Sequence, residues 1–408
     1  MQLKRSLRIL AIAPTGFYAD YGCHVRIRGQ MAALAERGHC VRILTYPSGR
    51  DVDGLAMIRP PLWPRGKTMP VGSSRRKLLL DVLLGALLPA AALRFPGGRP
   101  DVIHAYLHEG ALLGTLLGRA LRVPVVFDYQ GSLTEEMLDH RFLRLNSPLV
   151  PVLRALERWI DRQPQAILAS SVQATRQLVK GSAVLPSRVS TLSDSVDPAI
   201  FRSRTEQPAA ELAALRTRLR LPADRPVVVY LGLLAPYQGT ELLLHALKLL
   251  AAHDRPPHCL IMGFPDVDHY RNLAASLGVT QNVTFTGAVP YEDAPLYLAL
   301  GDAAVAPKVS ATEGSGKLLP FMAAGLPIAA FDTPVHREYL GDLGFYARLG
   351  DSESLAGALE RALSADPDEK ARRGWLLRAR VIERYTWQHA AQEIETQYQH
   401  LTTPTPVG

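Results

Sequence analysis

The sequence predicts an α/β protein built from two doubly wound, parallel-sheet units. Three observations carry this expectation. The chain has 408 residues, which exceeds one typical domain and suits two. A strand–helix–strand order runs from Leu7 to Thr45, and such a crossover joins parallel strands. The same order restarts at Val227 and continues to Phe331. Two such units in succession imply a cleft between them, with ligands outside the carboxyl ends of the strands.

Composition removes several alternatives. Hydrophobic residues make up 47% of the chain and charged residues 21%, the balance of a globular protein rather than a disordered one. The net charge of +8 is spread along the chain and fits solubility or an anionic ligand. No zinc-finger spacing or aromatic–basic signature appears, so no nucleic-acid partner is expected. Cys23, Cys40 and Cys259 are odd in number and far apart, which defines neither a disulfide framework nor a metal cluster. His104, His108 and Glu109 show no ligand spacing, and no metal is expected. The start of the chain lacks an apolar signal segment, so a cytoplasmic location is expected.

The elements follow in order. Residues 7–13 are a short apolar run of strand type, ended by Pro14-Thr15-Gly16. Ile27, Met31, Leu34 and Ala35 fall on one face of a helix that opens near Gly22 and stops at Gly38-His39. Residues 41–45 are the next strand. Residues 47–74, rich in Pro, Gly and Arg, are a long excursion. Arg75-Arg76-Lys77 lead the apolar run 78–88, and Pro89 follows it. That run is too short to cross a bilayer. It reads as a packed helix or, alternatively, as an interfacial helix making peripheral membrane contact through 75–88. A strand follows Pro100-Asp101, a helix of small residues spans 110–121, and 123–127 is a strand that ends at Asp128-Tyr129-Gln130. An amphipathic helix over 149–162 carries Arg154, Arg158 and Arg162, read as a solvated face. Residues 166–169 are a buried strand.

A polar helix over 206–219 and the turn-rich 222–226 mark the boundary between units. Strands are then expected at 227–231, 260–262, 283–287, 303–306 and 328–331. A glycine-bearing loop, 232–239, precedes a helix that Thr240 opens. Beyond 350 the pattern is helical, with helices over 355–365, 368–385 and, capped by Thr386, 387–401.

The chemistry concentrates in Glu313-Gly314-Ser315-Gly316-Lys317-Leu318, a loop running into a short helix that stops at Gly325. Free N–H groups at a helix start, together with a lysine, suit a phosphate. A Walker A loop is excluded, because Leu318 stands where a magnesium-binding hydroxyl is required. A plain capped helix with a solvated lysine is the alternative reading. Gly232 and Gly239 either admit a phosphate to the backbone or simply shape a turn. Gly22 and His24 sit past the end of the first strand. His24 reads as a donor to an oxyanion or hydroxyl, or as a structural loop residue. Asp128 and Gln130 end another strand, and Asp128 reads as a site group or as a helix cap.

Taken together, several segments resemble the GT-B glycosyltransferases, in particular the large group called family 4. In the second half these are Val229-Tyr230-Leu231-Gly232, Gly239-Thr240-Glu241-Leu242, Ile261-Met262-Gly263, Val283-Thr284-Phe285-Thr286-Gly287 and 317–327. In the first half they are Arg37-Gly38-His39, Pro100-Asp101-Val102-Ile103-His104 and Ser195-Val196-Asp197. The resemblance implies two Rossmann-like domains facing a cleft. Residues 1–203 would take the acceptor and 204–385 the nucleotide sugar, and the helix in 386–408 would return to the first domain. It implies sugar transfer to a glycan, lipid-linked or small-molecule acceptor, retaining, with neither metal nor cofactor. The catalytic candidates are then His24, Asp128 and Gln130. The substrate-binding candidates are Gly22, Gly232, Gln238, Gly239, Gly263, Glu313, Gly314, Ser315, Gly316, Lys317 and Leu318.

The chain also departs from the family pattern. Of the usual Glu-x7-Glu pair, the second position is Pro320, the first is Thr312, and Glu313 is shifted by one. Leu233 and Gln238 stand where an arginine and a lysine are usual, and Gln130 where a histidine is usual. A departing diphosphate must therefore rely on Lys317 and backbone N–H groups, with Lys308 and His336-Arg337 near enough in sequence to add charge. These departures point to a divergent subfamily. A catalytically silent scaffold that binds a nucleotide or a partner protein, and a nucleotide-sugar epimerase, are the competing readings.

Overall fold

The computed structural model describes residues 6–17, 22–47, 49–60, 75–139, 142–310 and 314–403. The chain forms two compact units. One comprises 1–193, 312–314 and 387–408, and the other 194–311 and 315–386.

The first unit runs β1 (Arg8–Ala13), α1 (Gly22–Glu36), β2 (Cys40–Thr45), β3 (Ala56–Ile58), α2 (Arg75–Leu93), β4 (Val102–Tyr106), α3 (Leu107–Leu121), β5 (Val125–Tyr129), α4 (Leu133–Asp139), α5 (Leu149–Asp161), β6 (Ala166–Ala169), α6 (Val172–Gly181) and β7 (Val189–Thr191). Its seven parallel strands lie in the order β3-β2-β1-β4-β5-β6-β7. Strands β4, β5 and β6 are buried along their whole length, as a parallel sheet covered by helices on both faces requires. The winding reverses between β1 and β4, so the chain leaves their carboxyl ends in opposite directions and opens a crevice there.

The second unit runs α7 (Ala209–Arg218), β8 (Val227–Leu231), α8 (Thr240–Leu250), β9 (His258–Met262), α9 (Val267–Ser276), β10 (Val283–Gly287), α10 (Ala294–Leu298), β11 (Ala303–Ala306), α11 (Leu318–Ala323), β12 (Ile328–Phe331), α12 (Pro334–Leu340), β13 (Phe345–Ala347), α13 (Ser352–Ser364) and α14 (Pro367–Arg384). Its six parallel strands lie in the order β10-β9-β8-β11-β12-β13, with the reversal between β8 and β11.

The last helix, α15 (Trp387–Thr402), belongs to the first unit, as the resemblance implied. Ala390, Ala391, Ile394 and Tyr398 join the core that contains Ile27, Met31 and Leu34 of α1. Tyr398 bonds the His104 ring on β4 at 2.6 Å. Glu395 takes Arg37 at 2.5 Å and His39 at 3.0 Å. Gly29 of α1 has to be glycine, because any Cβ there would overlap the Trp387 ring.

Several expectations are corrected. Helix α2 begins at Arg75 and runs through Pro89 to Leu93. Pro89 lies on the exposed side, so its ring leaves undisturbed the buried row of Leu80, Leu84, Leu88 and Ala92. Among the described residues no helix is long and apolar enough to cross a membrane. Helix α3 starts at Leu107, which draws His108 and Glu109 into its first turn. Residues 194–203 lie in the second unit, where Val196 and Phe201 are buried in the core. The edge strands β3, β7 and β13 have three residues each, too few to show a period of two.

Candidate functional site

The second unit gathers its candidates at the switch point. The chain leaves β8 at Leu231 and turns at Gly232, whose φ of +150° favours glycine. It then forms a short 3-10 turn, Pro236–Gln238. From the neighbouring β11 it reaches Ser315, Gly316 and Lys317, and Lys317 caps α11. The Lys317 ammonium donates to Gln238 Oε1 at 2.6 Å and to the Tyr230 hydroxyl oxygen at 3.3 Å. It also lies 4.5 Å from the centre of the Tyr230 ring. The Tyr230 hydroxyl in turn donates to the Leu233 carbonyl at 2.6 Å, which fixes the turn to the strand that precedes it. A methyl on Gly232 would stand 3.0 Å from Lys317 Nζ, so the glycine leaves the ammonium its place. Lys317, Gln238 and Gly232 are thus brought into one cluster, and Gln238 orients the lysine rather than adding a second charge.

Behind the loop sits Ser315, buried and 3.2 Å from His336 Nε2. His336 Nδ1 lies 2.6 Å from the Phe331 carbonyl, which can only accept, so Nδ1 carries the proton and Nε2 accepts from Ser315. Burial lowers the His336 pKa to about 4, with the positive charges of Lys308 and Lys317 pushing the same way. The ring is therefore neutral at pH 7 and holds the loop through Ser315. The expectation that His336-Arg337 adds charge is corrected on this ground. Arg337 is occupied by Asp332 at 2.8 Å and lies over the Tyr346 ring at 3.6 Å.

The remaining candidates of this unit have structural explanations. Gly239 has a φ of +74°, and a Cβ there would overlap the Pro307 carbonyl. Gly263 packs against the Gly232 carbonyl and the Leu234 side chain. Gly316 faces the Asp194 carboxylate, 2.9 Å from where a Cβ would stand. Leu318 is wholly buried, and its N–H donates to the Ser315 carbonyl at 2.9 Å. The Leu319 N–H likewise donates to the Gly316 carbonyl at 3.1 Å. The helix start thus offers fewer N–H groups than its pattern suggested, because α11 is entered through tight turns. Pro320 sits buried in the first turn of α11, where no intrahelical N–H is needed. Gly314, half-buried just before this turn in the chain, is grouped with the first unit, and Glu313 lies outside the described residues.

In the first unit the candidates also cluster at the switch point, past β1 and β5. Gly22 opens α1 with open space where a side chain would stand. His24 is buried in the first turn of α1, bonded to the Thr15 hydroxyl and stacked on Phe17 at 5.1 Å. Asp128 is completely buried and accepts from Arg26 Nε at 2.9 Å, Arg26 Nη2 at 2.9 Å and Gln30 Nε2 at 3.0 Å. Arg26 and Gln30 lie one turn apart on α1, so the helix presents both to the end of β5. Arg26 further donates to the Leu192 carbonyl at 2.8 Å, and Tyr106 to Gln30 Oε1 at 2.7 Å. Asp128 is a counter-ion inside the unit, and the expected catalytic role is corrected: its oxygens are taken up by protein donors. Gln130, two residues further, keeps a buried amide nitrogen with no hydrogen-bond partner among the described residues.

Tyr230, Ser315's partner His336 and the Arg26–Gln30 pair carry this geometry, yet sequence reasoning gave none of them these roles. Only Tyr230 had a local signal, as the aromatic residue just before a glycine turn at a strand end. A groove of about 610 Å³ in the second unit, lined by Arg216, Arg225 and Arg255, lies at the amino ends of the strands and so away from these residues.

Comparison with known proteins agrees with the two-unit layout. A family model described as "Glycosyl transferase 4-like domain" matches residues 21–194, and one described as "Glycosyl transferases group 1" matches 213–375. The chain is 26% identical to a D-inositol 3-phosphate glycosyltransferase of Acidothermus cellulolyticus, over 91% of this chain and 84% of that protein. It is 27% identical to a 2-deoxystreptamine glucosyltransferase of Streptomyces kanamyceticus, over 86% and 93%. Among solved structures, HepE of Anabaena in complex with UDP-glucose superposes with a TM-score of 0.74 at 16% identity, covering 97% of this chain and all of that one.

Proposed function

The chain belongs to the GT-B glycosyltransferases, and from that premise we propose that it moves a sugar from a nucleotide-sugar donor to an acceptor hydroxyl, with retention and without a metal. The observation that supports this reading best is the Lys317 ammonium, held by Gln238 and Tyr230 beside Gly232 at the switch point of the second sheet. Breaking a glycosidic bond to a diphosphate builds negative charge on the leaving group, and a cation already fixed in place meets that charge without reorganising. That HepE was captured with UDP-glucose supports a nucleotide sugar as donor. With proline at 320, the ribose is held by Glu313 or by loop backbone. His24 and the Gln130 amide, which has no hydrogen-bond partner among the described residues, are the first unit's proposed contacts to the acceptor.

Calorimetric titration with uridine, guanosine and adenosine diphosphates tests the donor assignment. One diphosphate should bind more tightly than its monophosphate, and absence of binding by all of them would remove the reading. A donor sugar altered without any acceptor would instead identify an epimerase.

The surface of the first unit favours a lipid-linked acceptor. On α2, Leu78, Leu79, Val82 and Leu93 are exposed, at spacings that place them on one side of the helix. On α5, Leu149, Val152, Leu156 and Trp159 form a second exposed stripe. Exposed apolar area of this kind marks an interaction surface. Lys77 contributes no charge to it, being paired with Glu109 at 2.6 Å. Vesicles of mixed neutral and anionic lipid should carry the protein down on centrifugation. Replacing Leu78, Leu79 and Val82 by glutamine should leave it in the supernatant, and unchanged sedimentation would refute membrane contact through α2.

A further inference from the structure

The first unit holds a group of side chains that the transfer reaction does not use. His108 lies in the first turn of α3, and Glu157 and Asp161 lie one turn apart on α5, on the face that packs against α3. All three are buried, with 3%, 7% and 1% of their surface exposed. One ligand atom from each lies within 4.8 Å of the others. We infer that His108, Glu157 and Asp161 form a site for a divalent first-row metal ion, with zinc as the ion that suits one imidazole and two carboxylates.

Geometry is the first argument. His108 Nε2 lies 3.3 Å from Asp161 Oδ1 and 3.7 Å from Glu157 Oε1. Two ligand atoms bound to one zinc at about 2.0–2.1 Å and a tetrahedral angle stand about 3.3 Å apart. The separations are those of ligands around a common centre.

The second argument is how the other atoms are used. Glu157 Oε2 accepts from the Thr134 N–H at 3.1 Å and from the Thr134 hydroxyl at 2.6 Å. Asp161 Oδ2 accepts from the Ser182 hydroxyl at 2.6 Å. Each carboxylate is therefore oriented through one oxygen and turns the other toward His108, as supporting shells around metal ligands do. His108 Nε2 and Asp161 Oδ1, facing each other in the interior, have no properly formed hydrogen bond. The imidazole is further fixed by edge contacts to Phe127 at 5.2 Å and Tyr129 at 5.5 Å.

The third argument is charge. Among the described residues neither carboxylate pairs with an arginine or a lysine. Two buried carboxylates and one imidazole stay net negative even with the imidazole protonated. A dication with a neutral imidazole brings the group to zero, which the interior favours. The ion would pin α5 to α3 beneath β5. It takes no part in the transfer step, which rests on Lys317. The sequence carried no sign of this site, because His108 and the α5 pair are far apart in the chain.

The test uses the full-length, untagged protein after treatment with a chelator. Competition against a chromophoric zinc chelator should show one tight zinc per chain, with the melting temperature rising as zinc is added. His108→Gln, Glu157→Gln and Asp161→Asn should each weaken binding at least tenfold and abolish the rise in melting temperature. Should a variant fail to fold, X-ray absorption of the zinc-loaded wild-type protein decides the matter, with a shell of one imidazole plus oxygen expected. The proposal is overturned if the stripped protein takes up no zinc. It is overturned equally if folded Asp161→Asn binds as wild type does, or if the zinc shell contains sulfur or several imidazoles.

Discussion

Lys317→Ala is expected to lower kcat/KM for sugar transfer by roughly a hundredfold to a thousandfold, the usual loss when one fixed donor to a developing charge is removed. The fold should survive, because the ammonium sits at a loop and its contacts with Gln238 and Tyr230 are polar and only partly buried. Binding of the nucleoside diphosphate should weaken with it. The loss falls mainly on this residue because the arginine and lysine of the family pattern are replaced here, leaving Lys308 as the other cation near His336. Leu233 and Gln238 carry no charge, His336 is kept neutral by burial, and Arg337 is committed to Asp332. Steady-state kinetics with a melting curve on the same sample checks this. Transfer at the wild-type rate would separate Lys317 from the reaction.

Asp128→Ala is expected to destabilise the first unit by about 3–5 kcal/mol, the cost of leaving a buried charge without its partner. Arg26 would lose its carboxylate partner while keeping its bond to the Leu192 carbonyl, and Gln30 would lose a charged acceptor. Removing both charges should be far milder. Arg26→Met with Asp128→Leu exchanges a buried ion pair for apolar groups of similar size, and such exchanges are often neutral or better. Urea unfolding of the two variants distinguishes this from a catalytic role. A folded, fully stable Asp128→Ala protein without activity would reinstate Asp128 as a reacting group.

These two residues also show how far the sequence could be read. The strands at 166–169, 227–231, 303–306 and 328–331 were legible to the residue, because buried parallel strands are short apolar runs bounded by turn signals. From them followed the two sheets and the position of the loop bearing Lys317. The grouping of Lys317 with Gly232 was legible as well, since both follow strands flanking the reversal point. What escaped was pairing across long stretches of chain. Asp128 meets Arg26 through strand order and helix rotation, and no local pattern encodes either. The same holds for His108 and the α5 carboxylates. Glycines were ambiguous for another reason. Gly239 stands in a glycine-bearing loop after a strand, as in a phosphate loop, yet its missing side chain makes room for Pro307, and that of Gly263 for Leu234. A sequence shows that space is needed but not what fills it.

The central claim is that the chain transfers sugar from a nucleotide donor with retention. Proton NMR of one reaction mixture, containing the nucleotide sugar whose base binds and a lipid-linked or polyol acceptor, tests it most directly. The account predicts release of the nucleoside diphosphate together with a new anomeric signal of the donor's own configuration, both lost with Lys317→Ala. An inverted anomeric signal would contradict the proposed stereochemistry. Diphosphate binding with neither release nor product, across the acceptors tried, would contradict transfer itself.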